Sequence, residues 1–408
     1  MSHAPVKRLS VLFVNYNSWR LCVGAVESLR RHPPHDVEGH PLPYEVIVVD
    51  NNSPIKDPDA EADLQELLSA GPFDGRIIMH HENGGYGKGM NLAFERATGD
   101  AVLVCNPDLM FLPNCIDSLL RYLELRPDVG AVQPRSYWDS DLEGHFPPNI
   151  LPTMGDLLAL FAASLSPRMV RRYSMVRTRT ALKIWRAEKD VKLSMLCGCC
   201  FLMRRSAIEE VGLFDERFPL YYEDTDLSVR LHKAGYDIVQ VEGANLVHYY
   251  NRSAITEVEL SVERYFISRR VFYRKWYGRF GQFVYDVIRK IQTSSWGKRR
   301  DDLCPQKVIH DLGAQTGPPV IEFDREYEKI LVEVAHDPNF YLAGGMFGHG
   351  RRWTVGPELF KSFGPTTYYF RVMDVSSSVT QLVGVWRYEL ISPPPTESAQ
   401  ITEEAKLG

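Results

Sequence analysis

Four short apolar runs constrain this chain more than any other feature: LSVLFVNYN at 9–17, YEVIVVDNNS at 44–53, RIIMHHENGG at 76–85 and AVLVCNPD at 101–108. Each is rich in Val, Ile or Leu, is short for a helix, and passes directly into Asn, Asp, Ser or Gly. That is the form of a strand buried on both faces, as in a parallel sheet. The segments between them carry a helical repeat. Residues 21–31 form one such segment, and 89–98 place Leu92, Ala93 and Ala97 on one face before Gly99 stops the run. Strands alternating with helices predict an α/β fold, a mostly parallel sheet with helices on its faces. In such sheets ligands collect outside the carboxyl ends of the strands, so all four polar tails are expected along one edge.

Residues 31–43 are Pro-rich and read as a loop, and residues 151–193 as a polar, Arg-rich helical insertion over the sheet edge. The stretch 197–250 returns to a strand, two helices and a strand, closing a first domain over residues 1–253. Residues 254–312 have helical propensity and set Arg264, Arg274, Lys275, Arg279, Lys298, Arg299 and Arg300 among Phe272, Tyr273, Trp276, Phe280, Phe283 and Tyr285. A basic face beside aromatic anchors suits an anionic membrane surface; a solvated helical face packed on the first domain fits equally well. After a Pro- and Gly-containing linker at 314–319, the runs KILVEVA, FYLAGGMF, TTYYFRVMDV and QLVGVWRYELI predict a small all-β, sandwich-like domain over residues 313–392. Residues 393–408 are polar and read as a disordered tail.

A net charge of −5 over 408 residues argues against nucleic acid as a partner. The start, MSHAPVKRLS, holds no apolar core of signal-peptide length, and the longest apolar stretch, 157–165, is far short of a bilayer span. The expected location is cytoplasmic, with the basic helix as a peripheral contact to the cytoplasmic face of the inner membrane. Seven scattered cysteines suit a reducing compartment. Cys197, Cys199 and Cys200 cluster without the paired C-x-x-C spacing of a zinc site, and read as buried small hydrophobes.

Chemistry is concentrated at the strand ends, and each motif has a plainer reading beside its functional one. Asp50 can accept from the ring N–H of a pyrimidine base, or with Asn51, Asn52 and Ser53 it can cap a turn. ENGGYGKGMN sets Gly84, Gly85, Gly87 and Gly89 before a helix, where backbone can approach a diphosphate; it is neither a Walker loop nor a dinucleotide turn. Asp108 can give an oxygen to a divalent cation that bridges phosphates, with Asn106 adding a carbonyl oxygen or holding a metal-bound water, or the triplet simply ends the strand. In YYEDTDLSVRLHKAG, Glu223, Asp224 and Asp226 are more acids than a helix cap requires, and one with a raised pKa would be a general base for a hydroxyl. His248 can complete a metal site or pack as a core histidine. Gly198 either shapes a sugar pocket or lies in a core strand. Trp353, Tyr368, Tyr369, Trp386 and Tyr388 either stack on sugar rings or fill a core or an oligomer interface.

Taken in order, VNYN, VVDNNS, ENGGYGKGMN, NPD, CGCCFLMRRSAIEEVGLFDERF, YYEDTDLSVRLHKAGY, a following His and YRKWYG resemble the family-2 inverting glycosyltransferases, and among them the bacterial rhamnosyltransferase-like group, over residues 9–277. The resemblance implies a GT-A fold and a nucleotide-sugar donor. It implies that Asn15 and Asp50, with Asn52 in the turn, lie at the nucleoside, and that Asn83, Gly85, Gly87, Lys88 and Asn91 line base, ribose and diphosphate. Asp108 takes the place of the metal-binding acid, His248 that of a further ligand, and Asp224, with Glu223 beside it, that of the catalytic base. Asn106-Pro107-Asp108 departs from the broad family's Asp-x-Asp and looks like the form of the rhamnosyltransferase-like branch. The expected cofactor is Mg²⁺ or Mn²⁺. The favoured donor is dTDP-L-rhamnose, with UDP-galactofuranose or a UDP-N-acetylhexosamine as alternatives, and the acceptor a saccharide or polyprenyl-linked saccharide. A non-catalytic carbohydrate-binding subunit, with the tail domain as its working part, is the reading from another class.

Overall fold

The computed structural model describes residues 5–249, 258–297 and 305–392. The expected boundary near residue 253, the polar tail from residue 393, and Lys298, Arg299, Arg300 and Cys304 lie outside the described residues. The chain forms two units: Met1–Tyr137, Pro148–Ala162 and Thr180–Arg299 make the first, and Trp138–Pro147, Ala163–Arg179 and Arg300–Gly408 the second. The division is therefore not a linear cut at residues 253 and 312. The basic helix belongs to the first unit, and two short segments of the first half belong to the second.

The first unit contains β1 (Leu9–Asn15), α1 (Trp19–Arg31), β2 (Tyr44–Asp50), α2 (Pro58–Ala70), β3 (Asp74–Met79), α3 (Tyr86–Arg96), β4 (Ala101–Cys105), β5 (Leu109–Phe111), α4 (Cys115–Leu125) and β6 (Val129–Tyr137). After the helices α5 (Met154–Ser164) and α6 (Pro167–Trp185) come β7 (Val191–Leu193), β8 (Cys200–Arg204), α7 (Arg205–Val211), α8 (Glu223–Lys233), β9 (Asp237–His248) and α9 (Val258–Thr293). The sheet runs β3-β2-β1-β4-β8-β6-β9-β5, with β7 on β9. The four runs that opened the argument are thus neighbours, β3-β2-β1-β4, all parallel. This is the α/β, GT-A-type arrangement that the sequence predicts.

Strand β1 shows why the sheet is doubly covered. Leu9, Val11 and Phe13 join one core with Trp19 of α1, Leu64 of α2 and Leu120 of α4, whereas Leu12 and Val14 join another with Met90 of α3, Ile208 of α7 and Leu227 of α8. Alternate side chains face opposite layers, so a strand apolar at nearly every position is the stable solution. The next helix starts earlier than its periodicity indicated. Gly85, at φ 85°, begins α3 at Tyr86, so Gly87 and Gly89 lie inside the helix. A Cβ on Gly89 would meet Val14 Cγ2 at 2.9 Å, so that glycine sets how closely α3 lies on β1.

The long helix α9 is interrupted at Gly278 (φ 67°). Its Phe272, Tyr273 and Tyr285 are buried with Leu157 and Phe218, while Phe280 and Phe283 are 73% and 64% exposed. One face of the helix thus packs on the first unit, as one sequence reading has it, and the other leaves these two aromatic rings in solvent. Among the described residues no helix is long and apolar enough to cross a membrane.

The second unit contains β10 (His310–Gln315), β11 (Val320–Ala335), β12 (Gly344–Thr354), α10 (Pro357–Phe360), β13 (Thr367–Asp374) and β14 (Gln381–Leu390). Its strands form one five-stranded sheet, β10-β14-β13-β11-β12, where two facing sheets were expected. The mostly-β character holds; β11 carries two register irregularities against β12 and begins at Val320, nine residues before the KILVEVA run that the sequence marked. Trp353, Tyr368, Trp386 and Tyr388 are buried in its core, so these rings serve packing rather than an exposed sugar platform.

Candidate active site

The carboxyl ends of β1, β2 and β4 open into a cleft of 370 Å³ in the first unit, a size suited to a small-molecule ligand. Behind its wall Asn15 and Asp50 sit opposite each other in the β1–β2 register. Asn15 Nδ2 donates to Asp50 Oδ1 (2.7 Å), and Ser53 donates to both Asp50 oxygens, from Oγ to Oδ1 (2.5 Å) and from N to Oδ2 (3.1 Å). Both residues are fully buried. Asn52, at φ 56°, is an exposed turn residue, and the cleft is lined instead by Asn51. Asn51 accepts from Gly84 N (3.2 Å) and donates to Asn83 Oδ1 (3.0 Å), which also accepts from Gly85 N (3.1 Å). Three consecutive turn positions thus face alternately in and out, which one-dimensional reading does not resolve.

The glycine-rich segment is only partly a loop at the cleft. Asn83 and Gly85 line it, and a Cβ on Gly85 would lie 2.7 Å from the Pro219 carbonyl. Gly87 is buried against Phe214. Lys88 is partly exposed and paired with Glu82. Asn91 bonds the Phe214 backbone in both directions (2.9 and 3.0 Å) and Glu216 (3.0 Å), so it anchors the turn before α8 instead of lining the cleft. Tyr86, which sequence reasoning passed over, does line it and donates to the Gly198 carbonyl (3.2 Å).

Asn106, Asp108 and His248 all line the cleft. Pairing of β5 with β9 places Leu109 opposite His248 and so brings the imidazole over the preceding acid. His248 Nε2 lies 3.3 Å from Asp108 Oδ1. Both side chains are buried, and that Oδ1 accepts no aligned hydrogen bond. Burial by itself would lower the His248 pKa, but the Asp108 carboxylate outweighs it and holds the imidazole above its ordinary value. Among the described residues no group of three or more His, Cys, Asp or Glu side chains could hold a metal. The donor set here is two side chains, which suits a cation that also takes phosphate oxygens and water.

Across the cleft, α8 opens with Glu223, Asp224 and Asp226, and the structure separates their roles. Asp226 is fully buried and charge-matched: Arg230 Nε at 2.8 Å, Lys275 Nζ at 2.6 Å and Trp276 Nε1 at 2.9 Å surround it. The YRKWYG stretch therefore fastens α9 to α8. Asp224 meets no cation among the described residues. Its Oδ2 accepts from Gly198 N (3.0 Å) and its Oδ1 from Thr225 N (2.6 Å). Burial raises its pKa against the lowering effect of those two bonds. Glu223 is pushed up to about 8, first by burial and then by the charge of Asp224, so it holds its proton at neutral pH. A Cβ on Gly198 would meet Asp224 Oδ2 at 3.0 Å, so a larger residue there would crowd the carboxylate. Tyr221 and Tyr222, at φ 61° and 68°, turn the chain into α8 and aim its first residues at the cleft. Cys199 and Cys200 are buried in the core as expected, with the half-buried Cys197 packed against it, and Cys197 and Cys199 also line the cleft. Asn149, Ser261 and Arg264 complete the lining from segments that carry no motif.

With this geometry in hand, comparison with known proteins is informative. A model of glycosyl transferase family 2 matches residues 10–212. The N-acetylglucosaminyl-diphospho-decaprenol L-rhamnosyltransferase of Mycobacterium tuberculosis is 31% identical over 219 residues, 51% of this chain and 67% of that protein. The O-antigen biosynthesis protein RfbC of Myxococcus xanthus is 26% identical over 266 residues, 63% of this chain and 19% of that protein. Among solved structures, S. aureus TarS 1–349 in complex with UDP-GlcNAc is 14% identical with a TM-score of 0.43, covering 72% of this chain and 69% of that one. GalNAc-T7 with UDP, GalNAc and Mn²⁺ is 14% identical with a TM-score of 0.43, covering 60% of this chain and 44% of that one.

Proposed function

Because the chain belongs to glycosyltransferase family 2, we propose that this glycosyltransferase moves L-rhamnose from dTDP-L-rhamnose onto a hydroxyl of a saccharide or polyprenyl-linked saccharide during cell-surface polysaccharide synthesis. The observation that carries the reading is the arrangement of Asp224: a half-buried carboxylate that meets no cation among the described residues, oriented by two backbone N–H groups, in the same cleft as Asp108 and His248. The name of the mycobacterial relative supports the sugar and the lipid-linked acceptor, and that of the Myxococcus relative supports polysaccharide synthesis.

In this reading the nucleoside lies against Asn51 and Asn83, with Asp50 and Asn15 stiffening the strand ends behind them. Asp108 and His248 would hold Mg²⁺ or Mn²⁺; their fit rests on the buried Asp108 oxygen that accepts no aligned bond and on the imidazole beside it. Such an ion, when bound, supplies positive charge to a departing diphosphate. Asp224 takes the proton of the acceptor hydroxyl as the oxygen attacks the anomeric carbon opposite the leaving group, so one displacement inverts that centre. Gly198 N–H and Thr225 N–H keep the accepting oxygens aimed, and neutral Glu223 avoids a second charge beside the base. Arg264 is placed to meet an anionic oxygen of donor or acceptor. The exposed Phe280 and Phe283, with Arg279 beside them, give a peripheral contact to an anionic membrane that carries a lipid-linked acceptor.

The test is sugar release and transfer from dTDP-rhamnose, UDP-galactofuranose, UDP-N-acetylglucosamine and UDP-galactose, each with Mg²⁺, Mn²⁺ or EDTA. Metal-dependent turnover of dTDP-rhamnose that disappears in Asp224→Asn is the expected result; turnover of another donor alone reassigns the sugar, and no turnover or binding of any donor overturns the reading.

A further inference from the structure

Cys197 and Cys199 are a part of the cleft that sugar transfer leaves unused. Their Sγ atoms lie 3.2 Å apart, both are free thiols, and both face the cleft. Between them stands Gly198, which carries two of the cleft's organising bonds: its N–H holds Asp224 Oδ2 and its carbonyl accepts from Tyr86. Cys197 is half-buried and Cys199 4% exposed, and Cys22, Cys105, Cys115 and Cys200 are buried without lining the cleft. We propose that Cys197 and Cys199 are a site of reversible oxidation, at which a hydroperoxide entering the cleft joins the two sulfurs and thereby withdraws Gly198 from Asp224.

The chemistry balances with the peroxide as the oxidant. One thiolate attacks the peroxide oxygen, the O–O bond breaks, and a sulfenic acid forms with release of water, or of an alcohol from an organic hydroperoxide. The second thiol attacks the sulfenic sulfur and expels its hydroxyl as water, so the pair loses two electrons and two protons to the peroxide. A disulfide bond is about 2 Å long, so the sulfurs must close by roughly 1 Å. With one residue between the two cysteines, that closure falls on the Gly198 peptide, the softest joint in the loop. The loop cannot absorb it by moving toward α8, because Gly198 already packs closely on Asp224. The expected consequence is a tilted N–H and a base that has lost one of its two guides.

The effect on turnover rests on the reading of Asp224 as the base; the pairing of the sulfurs does not. In the test, the reduced full-length protein is treated with hydrogen peroxide, its free thiols are counted, its peptides are mapped by mass spectrometry, and sugar release from the nucleotide-sugar donor is measured before oxidation, after it, and after dithiothreitol. Free thiols should fall from seven to five with the link mapped to Cys197 and Cys199. Turnover should fall by up to about a hundred-fold, the scale for moving a catalytic group by about an ångström, and reductant should restore it. The ratio of oxidised to reduced turnover should become one in Cys197→Ala and in Cys199→Ala and stay as in the parent protein in Cys200→Ala, whatever each variant's absolute rate. Unpaired thiols, a link through other cysteines, or a 197–199 disulfide without loss of turnover would each overturn the proposal. If the reduced protein turns over no donor, the functional reading fails by itself, and the thiol map still decides whether the pair closes.

Discussion

The two units treat buried negative charge in opposite ways. In the C-terminal sheet, Glu333 is 2% exposed; Arg371 meets it at 2.8 Å and Thr178 at 2.7 Å, and Arg371 also donates to Ser174 and Thr178. In the cleft, Glu223 and Asp224 are adjacent and enclosed, with no ion pair to either among the described residues, and Glu223 Oε2 accepts no hydrogen bond. Asp226, on the same helix, is of the first kind, ringed by Arg230, Lys275 and Trp276. Burial alone therefore does not mark a functional acid. A raised pKa in an acid that meets no cation, as at Glu223 and Asp224, does, because such a group is poised to exchange a proton nearer neutrality.

The largest test of this contrast is Asp224→Asn, for which turnover should fall by about 10²–10⁴ while nucleotide binding and the thermal midpoint are kept; steady-state kinetics beside a binding isotherm will show it. Breaking the balanced site should do the reverse. Arg371→Met leaves Glu333 buried without its counter-charge, at a cost of about 3–5 kcal/mol in denaturant titration, with turnover per folded molecule preserved. A change in both quantities in either variant would dissolve the distinction.

The pH dependence sharpens it. Glu223 has a folded pKa above its unfolded one, so its contribution to stability is complete below the unfolded value near 4.5 and is lost as pH rises toward about 8. Glu223→Gln remains neutral and should flatten that slope, ending more stable than the parent protein at the alkaline end by at least about 1 kcal/mol; thermal midpoints across the window will decide. The raised pKa of Asp224 also places the acid limb of turnover above the ordinary aspartate range, since the base must be ionised to accept a proton. The smallest effect on stability is expected at Phe280→Ser with Phe283→Ser, within about 0.5 kcal/mol for such exposed positions. Retention on anionic liposomes at low salt should nonetheless drop, and unchanged retention would remove the membrane contact.

Legibility in the sequence followed the range of the interactions. The four parallel strands could be read because each declares itself within nine or ten residues, and their polar ends converge as parallel topology requires. Asp108, His248, Glu223 and Asp224 could be placed because an acid or imidazole at an element's end carries its own signal. Asn91 was misplaced because its partner is the Phe214 backbone, 123 residues away, and nothing in the local pattern distinguishes a clamp from a ligand contact. Lys88 was drawn off by Glu82, and Asn52 lost its place to Asn51 through the parity of one turn. The cysteine pair carried a readable hint, since a single intervening glycine keeps two thiols close wherever that strand ends.

The two consecutive left-handed tyrosines before α8 put robustness and activity at odds. Holding Tyr221 and Tyr222 at positive φ costs about 1–3 kcal/mol each, and Tyr221 is 42% exposed, with its ring edge-on to Tyr265. A library screened for heat resistance alone would therefore favour Tyr221→Gly, and the relaxed turn would let Asp224 wander from its two amide guides. At this one peptide, selection for endurance and selection for speed would choose different residues.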